Sequence, residues 1–207
     1  MKELVIGDPA ALKTDIGPLI DHDARARLEK HVERLRAEAK EIFTLPLPEE
    51  LRHSRRREAA SGNPVCSNID HAFFSPQIWE IPNVAFLTDE VFGPILHVVR
   101  YKPEDLPKLV AAINATGFGL TGGVHSRIDA VAGEIAEELH VGNLYVNRSI
   151  IGAVVGTQPF GGEGISGTGP KAGGPHYLPR FALERTVSIN TTAAGGNATL
   201  LAAAGAD

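Results

Sequence analysis

The 207-residue sequence predicts an α/β domain, a largely parallel sheet flanked by helices, with a strand or tail at its carboxyl end. Two patterns carry that expectation. Apolar residues recur at helical steps in some segments and cluster in short runs bounded by turn residues in others, and the two kinds alternate along the chain. A hydrophobic content of 43% is enough for a chain of this length to bury roughly 70% of its unfolded surface, so no disulfide or metal staple is required.

The first long element is a helix beginning near Asp21 or Asp23. Leu28, Val32, Leu35, Ala39 and Ile42 alternate steps of four and three, which places them on one stripe opposite a charged face. An aspartate cap suits the exposed first amides, and Pro46 with Pro48 is expected to end the helix. From Pro46 to Pro64 the chain is polar, and Arg55-Arg56-Arg57 reads as a solvated face or loop rather than an anion site, because no glycine or aromatic framework surrounds it. Residues 81–88 and 95–101 read as buried strands flanking a turn at Glu90-Val91-Phe92-Gly93-Pro94. Pro103-Glu104-Asp105 opens a helix with Leu106, Leu109, Val110 and Ile113 on its core face. After a break at 114–123 come a short strand near Val124, a helix from about Asp129 to His140 and a strand at Leu144-Tyr145-Val146. Residues 151–180 are dense in glycine and proline, the composition of a functional loop. Thr186 to Asn190 offers one last strand, and Ala193 to Asp207 has the composition of a flexible tail.

Charge and cysteine content exclude several classes. A net charge of -5 gives no basic field for nucleic acid. One cysteine makes no internal disulfide, and the sequence shows no charged-then-apolar leader and no long apolar run, so a cytoplasmic protein without a transmembrane segment is expected. The eight histidines show no metal-ligand spacing, and no metal site is proposed.

Two glycine motifs invite a phosphate reading. Gly162-Glu163-Gly164-Ile165-Ser166-Gly167 satisfies the dinucleotide pattern, but Gln158-Pro159 precedes it where a strand should stand, and Pro170 and Pro175 follow where a helix should begin. In Gly164 to Gly169 a phosphate loop is nearly spelled, yet Pro170 separates it from Lys171, and Ala172 stands where a hydroxyl should reach magnesium. Neither is expected to bind phosphate. Their glycines instead permit tight backbone turns beside a ligand or a neighbouring subunit.

The sharpest signal is a set of three stretches: Glu90-Val91-Phe92-Gly93-Pro94, Gly142-Asn143-Leu144-Tyr145-Val146-Asn147-Arg148, and Gln158-Pro159-Phe160-Gly161-Gly162. Together they resemble the aldehyde dehydrogenase superfamily. Gly152-Ala153-Val154-Val155-Gly156 and Gly169-Pro170-Lys171-Ala172-Gly173-Gly174-Pro175 resemble most closely the branch that oxidises L-glutamate γ-semialdehyde, the open form of Δ1-pyrroline-5-carboxylate, often fused to proline dehydrogenase. The resemblance implies a catalytic-domain portion over 1–182 and an oligomerisation strand and flexible tail over 183–207. It also implies that the cysteine nucleophile, the glutamate base and the dinucleotide-binding half precede the point where this chain begins. On that reading no catalytic residue lies in the chain, which is expected to be inactive alone, and the complete enzyme is an NAD-dependent homo-oligomer acting on a small aldehyde.

Site residues follow from the same resemblance. Glu90 matches the glutamate that hydrogen-bonds the nicotinamide ribose, and Phe92 the aromatic that packs near the ring. Gly152 and Ala153 match the loop whose amides receive the substrate α-carboxylate, where a larger side chain would hold the anion off. Phe160 matches the wall along the aliphatic part of the substrate. Cys66 is not assigned as a nucleophile: it lies downstream of the expected position and has no activating base in view. Two other readings remain open, a non-catalytic assembly module related to these enzymes and a dehydrogenase portion for another aldehyde.

Overall fold

The computed structural model describes residues 1–52, 72–151, 157–190 and 198–204. Helix α1 (His22–Glu38) starts where the cap signal placed it, with the Asp21 carboxylate accepting from the Ala24 amide at 2.6 Å. Its stripe of Leu28, Val32 and Leu35 is buried against Phe74, Trp79, Ile81 and Phe86, and Leu19, Ala39, Leu87, Val91, Ile95 and Val99 close the cluster. Full burial of side chains of this size is worth about 1.5–3 kcal/mol each. Inside the cluster, Trp79 Nε1 donates to Gln77 Oε1 at 2.7 Å, so the one buried indole is satisfied.

The helix does not run on to Pro46. It ends at Glu38, Ala39 turns to extended backbone, and strand β1 (Lys40–Thr44) follows. Ile42, which continued the helical spacing, sits in that strand and is 44% exposed. Pairing explains the early stop, because β1 runs antiparallel to β2 (Gln77–Glu80) with a register irregularity between Glu41 and Phe43, and β2 runs parallel to β3 (Ile95–Val98). A short helix α2 (Glu49–Arg52) follows β1.

The strand expected over 81–88 lies earlier, as β2. Residues Val84–Phe86 form a 3-10 turn capped by Asn83, whose side chain accepts from the Phe86 amide at 3.1 Å. A second 3-10 turn, Pro103–Asp105, leads into α3 (Leu106–Asn114), where Val110 is buried. Beyond it come β4 (Phe118–Gly119), β5 (Thr121–Val124), α4 (Asp129–Glu138), β6 (Asn143–Val146) and β7 (Glu163–Gly164). β5 pairs parallel with β6, and β4 pairs antiparallel with β7.

The fold is therefore mixed α/β. Among the described residues its strands form three small sheets, β1-β2-β3, β4-β7 and β5-β6, with parallel and antiparallel pairings mixed instead of one largely parallel sheet. The strand expected at Thr186 to Asn190 does not form, and Val187 and Ile189 are exposed. A helix, α5 (Ala198–Ala204), occupies part of the segment expected to be a flexible tail.

Candidate functional site

Glu90, Val91 and Phe92 ride on a turn that both neighbouring elements hold. The Pro94 carbonyl accepts from the Gln77 amide at 2.9 Å, which ties the end of the turn to β2. Gly93 faces α1 so closely that any Cβ there would collide with the Leu28 side chain. The motif thus needs glycine to let helix and turn approach.

Between turn and helix lies a hollow of about 350 Å³, walled by Ile20, Ala24, Arg27 and His31 on one side and by Glu90 and Phe92 on the other. The structure brings the two expected cofactor residues together here. Phe92 is 86% exposed and Ile20 88%, an uncovered apolar lining on both walls. Glu90 is exposed and makes no hydrogen bond or ion pair among the described residues. Such a surface offers a flat apolar plate beside an unused anionic acceptor, which fits a planar ring carried on a hydroxyl-bearing sugar.

Sequence reasoning missed two contributors. Arg27 and His31 lie on the face of α1 that reads as solvated, and only the position of the Glu90 turn reveals that they border the hollow. His31 Nε2 lies 2.9 Å from His97 Nε2 on β3, with the rings edge to face at 76°. A bond between two imidazole nitrogens needs one donor and one acceptor. Burial, then the Arg34 guanidinium, lowers the His31 pKa, while burial and then His31 lower that of His97. Arg34 is itself held over the Phe86 ring at 4.0 Å and donates to the Phe86 carbonyl at 2.9 Å. A lone histidine inside a strand gave no hint of this pair.

Phe160 lies elsewhere, and it does not line the Glu90 hollow. Its amide donates to the Ala172 carbonyl at 3.0 Å and its carbonyl accepts from the Ala172 amide at 2.9 Å. Lys171 donates to the Gly142 carbonyl, and a Cβ on Gly142 would collide with the Gly161 carbonyl. Next to this segment is a second hollow of about 430 Å³, bordered by Asn143, Tyr145, Arg148, Gln158 and Lys171. Its named walls carry two cations, and the Arg148 guanidinium sits 4.9 Å from the Tyr145 ring centroid. Gly152 and Ala153, the expected carboxylate anchor, lie outside the described residues, as do Cys66 and Arg55-Arg56-Arg57.

Three amides of the Gly162 to Gly167 motif, those of Ile165, Ser166 and Gly167, bond to backbone carbonyls of the protein. Ile165 donates to the Gly117 carbonyl at 3.0 Å and Ser166 to the Glu163 carbonyl at 3.0 Å, while the Ser166 hydroxyl accepts from the Gly119 amide at 3.1 Å. Gly164, at φ 57°, packs where a Cβ would strike the Gly117 carbonyl. This is a turn stitched onto β4, with the Ile165, Ser166 and Gly167 amides already bonded. Among the described residues no group of three histidine, cysteine or carboxylate side chains could hold a metal, and no helix is long and apolar enough to cross a membrane.

By architecture this is a mixed α/β domain whose Glu-Val-Phe-Gly-Pro turn faces an open hollow. A model of the aldehyde dehydrogenase family matches residues 1–187, and the chain belongs to that family. It is 48% identical over 190 residues to the bifunctional protein PutA of Escherichia coli (strain K12), covering 91% of this chain and 13% of that protein. A solved variant of Bradyrhizobium japonicum proline utilization A (PutA) superposes with a TM-score of 0.77 at 52% identity, covering 94% of this chain and 18% of the other. The 1-pyrroline-5-carboxylate dehydrogenase from Thermus with bound NAD gives a TM-score of 0.67 at 33% identity, over 87% of this chain and 31% of the other. The chain thus spans about an eighth of the length of PutA and about a third of the Thermus enzyme.

Proposed function

We propose that the chain supplies the nicotinamide-side wall and the substrate-carboxylate floor of an NAD-dependent L-glutamate γ-semialdehyde dehydrogenase. The observation that carries the reading is the Glu90 turn: a carboxylate without a partner among the described residues and an exposed aromatic plate, two residues apart, face one hollow in a chain of this family. Bound there, NAD would supply the hydride acceptor. Glu90 would accept from the ribose hydroxyls, Phe92 would pack beside the ring, and Arg27 would lend positive charge to the same hollow. Gly152 and Ala153 would present amides to the α-carboxylate, and Phe160 would line the aliphatic stretch. The kinship to PutA and to the Thermus enzyme supports the choice of substrate and cofactor.

Residues 1–182 form the catalytic-domain portion in this proposal, and 183–207 serve subunit pairing. The exposed Leu183, Val187 and Ile189 are consistent with that role, since they are apolar and unburied within one chain. Without the thiolate and base of the complete enzyme the chain alone does not turn over, because covalent catalysis without its nucleophile forfeits several orders of magnitude. Initial rates test both halves of the proposal. The complete enzyme is expected to reduce NAD with L-glutamate γ-semialdehyde and to lose glutamate affinity on Gly152→Val, and the isolated 207-residue chain is expected to be silent. Ordinary turnover by the isolated chain that disappears on Cys66→Ala would overturn the assignment of the chemistry to residues outside it.

A further inference from the structure

Asn143, on β6, donates from Nδ2 to the Pro159 carbonyl at 3.0 Å and accepts at Oδ1 from the Gly161 amide at 3.3 Å. Those two groups belong to the residues on either side of Phe160. The backbone N–H and C=O of Phe160 are already committed to Ala172. All the polar backbone groups that set the direction of the Phe160 side chain are therefore held, two by Asn143 and two by Ala172. Asn143 is fixed in turn, since β6 pairs with β5 at Thr121 and the Asn143 amide donates to the Leu120 carbonyl at 3.2 Å. The only rotations between the β5-β6 pair and the bracket are those of one short side chain.

The chemistry of the bracket selects asparagine. It needs one donor and one acceptor on a single planar group at this reach. Aspartate keeps the shape but sets a carboxylate oxygen against the Pro159 carbonyl, where two acceptors repel, and glutamine is one methylene too long. We propose that Asn143 is a positioning residue that holds the Phe160 wall against the aliphatic part of the aldehyde substrate. The inference rests on the reading of Phe160 given above, and it acts on binding of the substrate chain, leaving the bond-breaking steps alone.

Kinetics of the complete enzyme carrying Asn143→Asp, Phe160→Ala and both together test it, with L-glutamate γ-semialdehyde as the varied substrate. Loss of one neutral hydrogen bond corresponds to about a 5- to 10-fold rise in KM, with kcat held within about twofold. In the Phe160→Ala background the same substitution is expected to change KM by less than about twofold, because the side chain it positions is gone. Asn143→Ser, which shortens the reach without adding charge, is measured alongside; if the aspartate variant fails to fold, the serine variant carries the same cycle. An equal effect of the Asn143 substitution in both backgrounds, or a fall in kcat at constant KM, overturns the positioning role while leaving the function of Phe160 intact. A Phe160→Ala variant with unchanged KM overturns the reading of Phe160 and this inference with it.

Discussion

Replacing Glu90 by glutamine isolates the proposed cofactor contact from the fold. The Glu90 carboxylate is exposed and bonds to no protein group among the described residues, and the turn that carries it is held through Pro94 and Gly93, so the substitution removes no packing. A hydrogen bond to a charged acceptor contributes about 1.5–3 kcal/mol, against about 0.5–1.5 kcal/mol for a neutral one. Two ribose hydroxyls would lose about 2–3 kcal/mol between them, and the open, screened side of the hollow reduces that to about 1–1.5 kcal/mol. The expected result is about a tenfold rise in KM for NAD. Initial rates at varied NAD in the complete enzyme provide the assay, with thermal melting of wild type and variant as the control for the fold. A variant whose melt is unchanged and whose KM for NAD stays within about twofold of wild type would refute the assignment of Glu90 to the ribose.

The His31–His97 bond gives a pH dependence of known sign. Both folded pKa values lie below 6.5, so the unfolded chain takes up protons first: the contribution is complete above about pH 6.5 and is lost as pH falls below it. Melts across about pH 7.5 to 5.5 are expected to show stability falling with acid, and the double variant His31→Leu/His97→Leu to show a flatter dependence; identical slopes would remove the pair from the account. Leu35 is 0% exposed at the centre of the α1 cluster, so Leu35→Ala is expected to cost about 2–5 kcal/mol by urea unfolding, and a loss under about 1 kcal/mol would mean that the cluster does not bear on stability as described.

The legible parts of the fold were those whose signals are local. The α1 stripe and its Asp21 cap lie within a few turns of each other, and the structure reproduces the cap and the stripe from Leu28 to Leu35. The end of α1 was hidden because Ile42 continues the helical spacing, whereas the pairing of Lys40 to Thr44 with Gln77 to Glu80 depends on residues far along the chain. At 81–88 the apolar run looked like a strand, but Pro82 has no amide to give a ladder and Asn83 caps a 3-10 turn instead. The same distinction governs the site. That Glu90 and Phe92 share one turn follows from a contiguous motif, while Arg27 and His31 border the same hollow only through the packing of α1 on a turn some sixty residues away.

Beyond Phe118 the chain is organised differently from the α1 cluster, and the difference bears on function. Among the described residues there, the buried apolar side chains are Val124, Ala132 and Tyr145. Polar brackets do much of the holding. Asn114 spans the Glu138 carbonyl and the His140 amide at 2.8 and 2.9 Å, Asn147 spans the carbonyl and amide of Ser126 at 2.9 and 3.0 Å, and Asn143 spans Pro159 and Gly161. Asn147 adopts φ 55°, a left-handed conformation that asparagine tolerates better than most side chains. Each bracket ties one segment to another through peptide groups, with little need for a large apolar side chain between them. That arrangement fixes the position of a glycine-rich backbone without a large apolar core. The brackets and turns commit the amides of Phe160, Gly161, Ile165 and Ser166 to the fold, so under the proposed reading the substrate carboxylate takes its donors from Gly152 and Ala153 and not from this part of the backbone.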